Sequence, residues 1–234
     1  MTKLRVLSTL AVMGAMRDLT AQYERETGTP IAADFAPTVA LLDRLRAREA
    51  ADIAILTAQG IDDLSREGVI HPGTRSDVAL SFVGIAVRAG ASKPDIETVA
   101  AFKDTLLSAR SVAYSRIGAS GIFFAGLLER LGIAAEVNAK AIIVPSGFTA
   151  ERVANGEAEL AVQQISELMV VPGIEVVGPL PADIQTAATF SAGILAGSKQ
   201  AEAAGAFLRF LTSPAVAPVL RRAGLQPIAA VTGP

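Results

Sequence analysis

The sequence contains no cysteine and no tryptophan, and among its 234 residues there is a single histidine. Without cysteine, disulfides, thiolate nucleophiles and cysteine-ligated metals are excluded. The lone His71 lies in the loop-like segment GVIHPG, so a histidine-based triad or a histidine-rich metal site is not expected. The composition therefore predicts no cofactor and no bound metal.

An excess of charge of one sign is also lacking. The 21 basic residues nearly balance the 23 acidic ones, the net charge is −2, and no long run of either sign occurs. This balance argues against a nucleic-acid partner. Aromatic residues make up only 5% of the chain, whereas 51% of the residues are hydrophobic. These fractions fit an ordinary globular protein.

No apolar run is long enough to span a bilayer, so membrane insertion is not expected. Residues 1–16 combine basic and apolar residues in a way that could pass for a signal peptide. However, the helical spacing of apolar residues continues through Leu19 and Tyr23, between charged residues. This pattern predicts a strand at residues 4–7 and an amphipathic helix at 12–27. We therefore expect a cytoplasmic protein, or a periplasmic one if an export signal has been removed.

Strand-like and helix-like segments alternate along the chain in two sets, separated by a long β-type run at residues 78–88. Such alternation predicts an α/β protein with largely parallel sheets covered by helices. We expect two lobes joined by two crossovers and a ligand in the cleft between them. Lobe 1 would comprise residues 1–80 plus 195–234, and lobe 2 would comprise residues 81–194.

Residues 111–132 contain the clearest local signal for a ligand site. They read as a short strand, a polar loop and a helix from about residue 122. We expect Ser120 to cap this helix, because serine is a favoured N-cap residue. Gly118 and Gly121 would let the backbone come close to a ligand. The free N–H groups at such a helix start attract anions.

Arg116 lies inside the same loop and offers a planar fork of donors that suits a carboxylate or another oxyanion. A plainer alternative exists, since the loop could be no more than a well-capped junction between a strand and a helix. The residues alone leave both interpretations open.

Four stretches spread along the chain resemble a known family. They are VLSTLAVMGAMRDLTAQYERETG, DFAPTVALLDRLRAREAADIAILTAQGIDDL, GASGIFFAGLLERLGI and SAGILAGSKQAEAAGAFLRFLTSPAVAPVLRRAGL. They are similar to the molybdate-binding-protein branch of the type II periplasmic binding proteins. The resemblance covers nearly the whole chain and implies that family's two-lobed α/β fold. It also implies a solute-binding protein of the kind that serves ABC transporters, with a small anionic ligand.

The resemblance further assigns positions that would bind the ligand through hydroxyl and N–H groups. These positions are Thr9 and Ala11 in the first loop, Thr38 in the second, Ser120 with Gly121, Ser146 near Gly147, and Gln163 or Gln164. The family has a serine at the position of Ala11 and a tyrosine near the two glutamines. The lost hydroxyl, together with the charge of Arg116, favours an organic carboxylate over molybdate.

Several of these residues have structural alternatives. Thr9 and Thr38 could simply cap helices, and the pair Gln163-Gln164 could form an exposed turn rather than an edge where ligands bind. Asp52, beside a strand start, is expected to be structural. Tyr114 is expected to lie in the core.

Two classes of function remain open from the sequence. The first is a non-catalytic protein that binds a small anion and meets a transporter permease only if it is exported. The second is a cytoplasmic enzyme on the same fold, because some relatives of this branch resemble aconitate isomerases and others of the wider fold act as dehydratases. An isomerase needs a base, and Glu167, Tyr114 or a hydroxyl would have to serve. A cytoplasmic sensor is a third alternative, although no DNA-binding module is attached.

Overall fold

The computed structural model describes residues 3–228, which form two α/β units. Unit 1 combines the chain up to Ser81 with the chain from Ala188 onward, and unit 2 comprises Phe82–Ala187. The chain therefore crosses between the units twice. The second crossover lies at residue 187, whereas the sequence suggested residue 194, because the returning strand belongs entirely to unit 1.

The first part of unit 1 alternates strands and helices. In chain order these are β1 (Leu4–Thr9), α1 (Met13–Thr27), β2 (Ile31–Ala36), α2 (Thr38–Arg46), β3 (Ile53–Thr57), α3 (Ala58–Arg66) and β4 (Ser76–Ser81). A single 3₁₀ turn at Leu10–Val12 joins β1 to α1. The expected strand and helix at the N-terminus are thus present, and α1 buries Met16, Leu19 and Tyr23 on one face.

Unit 2 follows as one continuous stretch. Its elements are β5 (Val83–Arg88), α4 (Val99–Ser108), β6 (Val112–Tyr114), α5 (Ala119–Leu131), α6 (Ala134–Asn138), β7 (Ala141–Ile143), α7 (Ala150–Ala154), β8 (Leu160–Gln164), α8 (Ile165–Leu168) and β9 (Ile174–Pro179). The chain then returns to unit 1 as β10 (Ala188–Ile194), α9 (Ala201–Leu211), α10 (Ala217–Arg222) and β11 (Gln226–Pro227).

The sheet of unit 1 has the strand order β11-β4-β10-β3-β1-β2 among the described residues. Strands β1, β2 and β3 are parallel, and β10 pairs antiparallel with β3 and β4. The carboxyl ends of β1, β2 and β3 therefore share one edge of the sheet. The chain enters a helix almost at once after each of these strands, which brings three helix starts to that edge.

The sheet of unit 2 has the order β7-β6-β8-β5-β9 within the described chain. Strands β6, β7 and β8 are parallel, whereas β5 is antiparallel to both β8 and β9. The loops that follow β6, β7 and β8 therefore lie at a common edge. The core on one face of this sheet includes Tyr114 and Phe124, whose rings meet edge to face at 5.1 Å.

Two element assignments from the sequence were wrong. The β-type run at residues 78–88 is two strands, β4 and β5, which break at Phe82 and belong to different sheets. Helix α5 begins at Ala119 rather than near residue 122. The short elements α6 and β11 were not predicted.

Helix length bears on membrane insertion. No single described helix is long and apolar enough to cross a bilayer. Helix α9 reaches that length only together with the segment Pro214–Arg222, which consists of a 3₁₀ turn at Pro214–Val216 followed by α10. The two parts are bent by 56° at the break between them.

Candidate functional site

Three threonines lie at the helix starts along the carboxyl edge of unit 1, and two of them cap helices. The hydroxyl of Thr9 accepts a hydrogen bond from the Ala11 N–H at 3.5 Å, and that of Thr57 accepts one from the Gly60 N–H at 3.2 Å. For Thr9 the capping alternative is therefore what the structure shows. Ala11 is buried and contributes its N–H to this cap.

Thr38 differs from these two threonines. It is the first residue of α2, directly after Pro37, and only 7% of its surface is exposed. Within residues 3–228 its hydroxyl oxygen has no hydrogen-bond partner. A buried hydroxyl without a partner costs about 1–3 kcal/mol, so Thr38 is the unit 1 side chain best prepared to bind a polar ligand atom.

In unit 2 the sequence-predicted cap of α5 was wrong. The N-cap is Gly118, which has extended backbone angles and no capping side chain. The Ile122 N–H donates to the Gly118 carbonyl at 3.0 Å, so the helical hydrogen bonds begin two residues before Ser120. Ser120 is instead a buried residue within the first turn. The N–H groups of this turn are left without a capping side chain.

Gly121 has a packing role that the sequence did not predict. A β-carbon at this position would lie 1.5 Å from the carbonyl oxygen of Ser115 and 2.5 Å from its carbonyl carbon. Glycine is therefore needed because the loop backbone packs directly on the helix. Ser115 also accepts the Ile117 N–H through its hydroxyl at 3.3 Å, which fixes the loop from within.

Arg116 is exposed and turns towards the end of α6. Its Nε donates to the Tyr114 hydroxyl and its Nη2 to Asn138 Oδ1, each at 3.4 Å. Neither partner is an acid, so these contacts leave the positive charge of Arg116 uncompensated. Tyr114 itself is fully buried and donates to Asn138 at 2.5 Å, which agrees with its expected place in the core.

Gln163 is buried and binds the loop between β7 and α7. Its Oε1 accepts hydrogen bonds from the Thr149 N–H at 2.8 Å and from the Thr149 hydroxyl at 3.0 Å. Its Nε2 donates to the Gly147 carbonyl at 3.3 Å. The exposed-turn alternative is therefore excluded, and the amide of Gln163 is occupied by the protein. Ser146, beside Gly147, is exposed.

Gln164 and Glu167 form a second buried pair at the start of α8. Glu167 Oε2 accepts the backbone N–H of Gln164 at 3.1 Å. The Gln164 side chain approaches the backbone N–H of Glu167, so the two residues form a capping box. This approach does not meet the distance and angle of a hydrogen bond, and Oε1 has no other partner in the described part of the chain. Gln164, rather than Gln163, thus has a buried acceptor available for a ligand.

Burial raises the pKa of the Glu167 carboxyl to about 8, while hydrogen bonds from the Gln164 N–H and the Gln163 side chain act in the opposite direction. The group is consequently mostly protonated at neutral pH and can change its protonation state near neutrality. Buried carboxyls of this kind are suited to proton transfer.

Other residues noted in the sequence have structural roles. Asp52 accepts hydrogen bonds from the Arg5 N–H, the Ser198 hydroxyl and the Gln200 amide, as expected of a structural acid. His71 is exposed. Among residues 3–228, no group of three or more histidine, aspartate or glutamate residues could hold a metal ion.

Two residues of these edges were not selected from the sequence. Thr57 follows a buried strand and precedes a helix, as Thr9 does, so the same pattern could have found it. Thr149 had no such signal, because its contact with Gln163 spans 14 residues and depends on the packing of β8 against the loop.

Comparison with known proteins gives a family. Residues 4–226 match the family described as bacterial extracellular solute-binding protein. The chain is also 38% identical, over 235 residues, to an aconitate isomerase from a Pseudomonas species, with 98% of this chain and 89% of that protein covered.

Solved structures with the same fold have low sequence identity. The periplasmic molybdate-binding protein of Azotobacter vinelandii superposes with a TM-score of 0.81 at 18% identity, covering 95% of this chain and 98% of that one. A periplasmic thiamin-binding protein gives 0.77 at 18% identity, covering 99% and 85%. The sulfate-binding protein SubI of Mycobacterium tuberculosis H37Rv gives 0.77 at 15%, covering 98% and 88%. The chain therefore belongs to the bacterial extracellular solute-binding protein family and has the two-lobed fold of its type II, molybdate-binding-like branch.

Proposed function

We propose that this chain binds a small organic polycarboxylate and isomerises it by transferring a proton between two carbon atoms. The observation that carries the proposal is the 38% identity to an aconitate isomerase across 98% of this chain. The aligned region covers both units, so it includes the residues at the carboxyl ends of the parallel strands in each sheet.

The chemistry of such an isomerisation needs few groups. An aconitate has a CH₂ group next to a carbon–carbon double bond and carries three carboxylates. A base removes a proton from the CH₂ carbon, the double bond moves by one position, and a proton is returned to the far carbon. No oxidant, reductant or water is consumed. The protein must supply anion-binding donors and one group that gains and loses a proton near neutral pH.

Glu167 is the residue that best fits the proton-transfer role. Its buried carboxyl has a pKa of about 8, close to the working range of a general acid–base group. Tyr114 fits less well, since its hydroxyl is fully buried and already donates to Asn138. Of the bases considered from the sequence, Glu167 is therefore preferred.

Recognition of carboxylates would come from the loop before α5 and from free polar groups. Within residues 3–228 the guanidinium of Arg116 has only neutral partners, and no side chain of that part of the chain caps the first turn of α5. Both features favour a negatively charged group. The side-chain carbonyl of Gln164, in the same unit, supplies a further polar contact.

A second candidate is binding of a carboxylate without catalysis. One observation favours this candidate. Glu167 Oε2 accepts the Gln164 N–H at the start of α8, and this capping role alone is a sufficient reason for a glutamate at that position. In this case the chain acts as a solute-binding component, and a permease of an ABC transporter becomes its expected partner if it is exported. The cytoplasmic location expected from the sequence fits the enzyme better and remains a prediction.

The test is incubation of the protein with cis- or trans-aconitate in D₂O, followed by ¹H NMR. We expect interconversion of the isomers with deuterium incorporated at the carbons that exchange protons. Glu167→Gln should lose this turnover and retain binding in a thermal-shift assay. Stabilisation by tricarboxylates without interconversion would support the second candidate. Stabilisation by molybdate or sulfate alone would overturn carboxylate recognition.

A further inference from the structure

We propose that unit 1 has a second ligand site, a cavity at the amino ends of its parallel strands, and that this site takes a small carboxylate with an apolar body. The cavity has a volume of about 510 Å³, within the range of about 300–1,000 Å³ that small-molecule sites occupy. Its lining comes from the end of α2, the chain before β3 and the loop between β10 and α9. All of these segments belong to unit 1, and the proposal does not depend on the isomerase activity.

The cavity is separate from the carboxyl edge at which Thr9 and Thr38 lie. Asp52 lines the cavity and directly precedes β3, whereas Thr57 is the last residue of that strand and lies at the carboxyl edge. The five-residue step from Asp52 to Thr57 spans about 17 Å in an extended strand. A small ligand in the cavity is therefore remote from the three threonines.

The floor of the cavity is apolar. Leu45, Val69 and Leu195 line it, and all three are buried. Side chains of this kind favour the apolar part of a ligand, because contact with them removes it from water.

The two acidic side chains of the lining are already engaged by the protein. Glu49 accepts hydrogen bonds from Arg5 Nη2 at 2.5 Å and from Arg44 Nε at 2.7 Å. Asp52 accepts three hydrogen bonds from neutral donors. Neither carboxylate is therefore left to pair with a further cation.

Two cations of the lining have no acidic partner in the described part of the chain. Arg48 is exposed and uses one of its five N–H donors, through Nη1, on the Gly68 carbonyl at 2.9 Å. Lys199 is also exposed, and its ammonium has no hydrogen-bond or ion-pair partner within residues 3–228. The lining has three basic and two acidic residues, so its unmatched charge favours an anionic ligand group.

The backbone of Arg48 is a second, independent observation. Its φ of 57° is left-handed, and no other non-glycine residue among those described has a positive φ. At the end of α2 the Arg48 N–H donates to the Leu45 carbonyl at 3.0 Å, and the Glu49 N–H donates to the Arg44 carbonyl at 3.1 Å. Glycine is the usual residue at this position, and α3 has Gly68 there, with φ of 67°. Arginine is strained in this conformation, which points to a function of its side chain that glycine could not serve.

The test is titration of the ¹⁵N-labelled protein with benzoate and with hexanoate, followed by NMR. Neither probe is an aconitate, so the result does not depend on the isomerase activity. We expect saturable shifts at the amides of residues 48–52 and 195–200. The neutral analogue benzamide should bind about tenfold more weakly than benzoate, since it lacks the charge-assisted hydrogen bonds. Absence of saturable shifts at these amides with both probes would overturn the proposal.

Two variants remove the unmatched cations. Arg48→Gly leaves a residue suited to the left-handed backbone, so it should melt at or above the wild-type temperature. Lys199→Met keeps an unbranched apolar side chain without the charge. We expect each variant to bind benzoate about tenfold more weakly than the wild type. Wild-type affinity in both variants would contradict the site.

Arg46→Ala is the matched control. It removes an equal charge from the last turn of α2, but Arg46 is paired with Glu67 and does not line the cavity. Its affinity for benzoate should therefore match that of the wild type. An equal loss in Arg46→Ala would show only general electrostatic attraction and would overturn the proposal. If Arg48→Gly melts below the wild type because the Gly68 contact is lost, Lys199→Met decides: weaker binding supports the site, and wild-type affinity contradicts it.

Discussion

The carbonyl oxygen of Ser115 occupies the space that a side chain at Gly121 would need, 1.5 Å from the position of a β-carbon. This clash involves backbone on both sides, so no side-chain rotation can relieve it. The geometry of the loop that contains Arg116 is therefore set by a glycine in the helix that follows.

Gly121→Ala should consequently destabilise the protein by about 3 kcal/mol or more, because the loop must move away from α5. Gly126→Ala in the same helix is a matched control. A β-carbon there has only the flexible end of Arg130 nearby, at 3.7 Å, so alanine should stabilise the helix by about 0.5–1 kcal/mol. Urea denaturation of both variants measures the difference. Equal stability of the two would contradict the packing described for Ser115.

Thr38 and Thr57 should respond in opposite ways to replacement by valine. Thr38→Val removes an unpartnered buried hydroxyl, so the ligand-free protein should keep its stability or gain slightly. Thr57→Val removes the cap on the Gly60 N–H and should cost about 1 kcal/mol. If the Thr38 hydroxyl binds the ligand, affinity should fall by about 1 kcal/mol in that variant. Melting curves and calorimetry on both variants test this, and a destabilised Thr38→Val would indicate a structural partner instead.

Arg116→Ala should weaken binding of a carboxylate by on the order of 2 kcal/mol, because charge-assisted hydrogen bonds are the stronger ones. Arg116→Lys should recover only part of this, since an ammonium lacks the bidentate fork. The control is Arg130→Ala, which removes an equal charge whose guanidinium lies 5.8 Å from the Phe123 ring centroid. Calorimetric titration with trans-aconitate compares the three. Wild-type affinity in Arg116→Ala would mean that the guanidinium serves only Tyr114 and Asn138.

The stability of the protein should depend on pH through Glu167. Folding raises the pKa of this carboxyl from an ordinary 4.5 to about 8. Between these values the folded chain holds a proton that the unfolded chain releases, so the contribution of Glu167 to stability is lost as the pH rises through this range. Glu167→Gln cannot ionise and should gain stability relative to the wild type over the same range, by on the order of a few kcal/mol.

Glu159→Gln should change the stability with the opposite dependence on pH. Hydrogen bonds from Arg110 lower the pKa of the Glu159 carboxyl, so its contribution is present above the unfolded pKa and disappears as the pH falls. Urea denaturation at a series of pH values should show the Glu167→Gln difference growing towards alkaline pH. The Glu159→Gln difference should be seen at neutral pH and vanish in acid. A pH-independent difference for Glu167→Gln would contradict the raised pKa.

The sequence predicted the helices and strands whose formation depends on the local pattern of residues. The spacing of Met16, Leu19 and Tyr23 specifies α1, and the alternation of short apolar strands with helices specifies both α/β sets. The break at Phe82 was not predictable in this way. Residues on both sides are apolar, and the break exists because β4 pairs with β10 while β5 pairs with β8 and β9. Those partners are distant in sequence.

The sequence named positions for a ligand site, which stay a prediction, and it assigned some of those residues the wrong structural role. Thr38 and Gln164 keep free polar groups, as a ligand contact requires. Gln163 could not be told apart from Gln164, because its environment is created by Gly147, which lies 16 residues away. The assignment of Ser120 as a cap failed because the helix start is determined by the backbone at Gly118, where the sequence has no side chain to signal it.

The strand order of unit 1 also has a consequence for biosynthesis. Strand β10 lies between β3 and β4, and β11 pairs with β4. Both partners of β4, the strands β10 and β11, follow residue 187 in the chain. During synthesis β4 therefore stays without a partner until residue 187 has been passed, and by then unit 2 is already complete. The unit that is begun first is finished last. A nascent chain that stalls in this interval presents the open edge of β3, a ready template for aggregation, and so depends on prompt completion or on a chaperone.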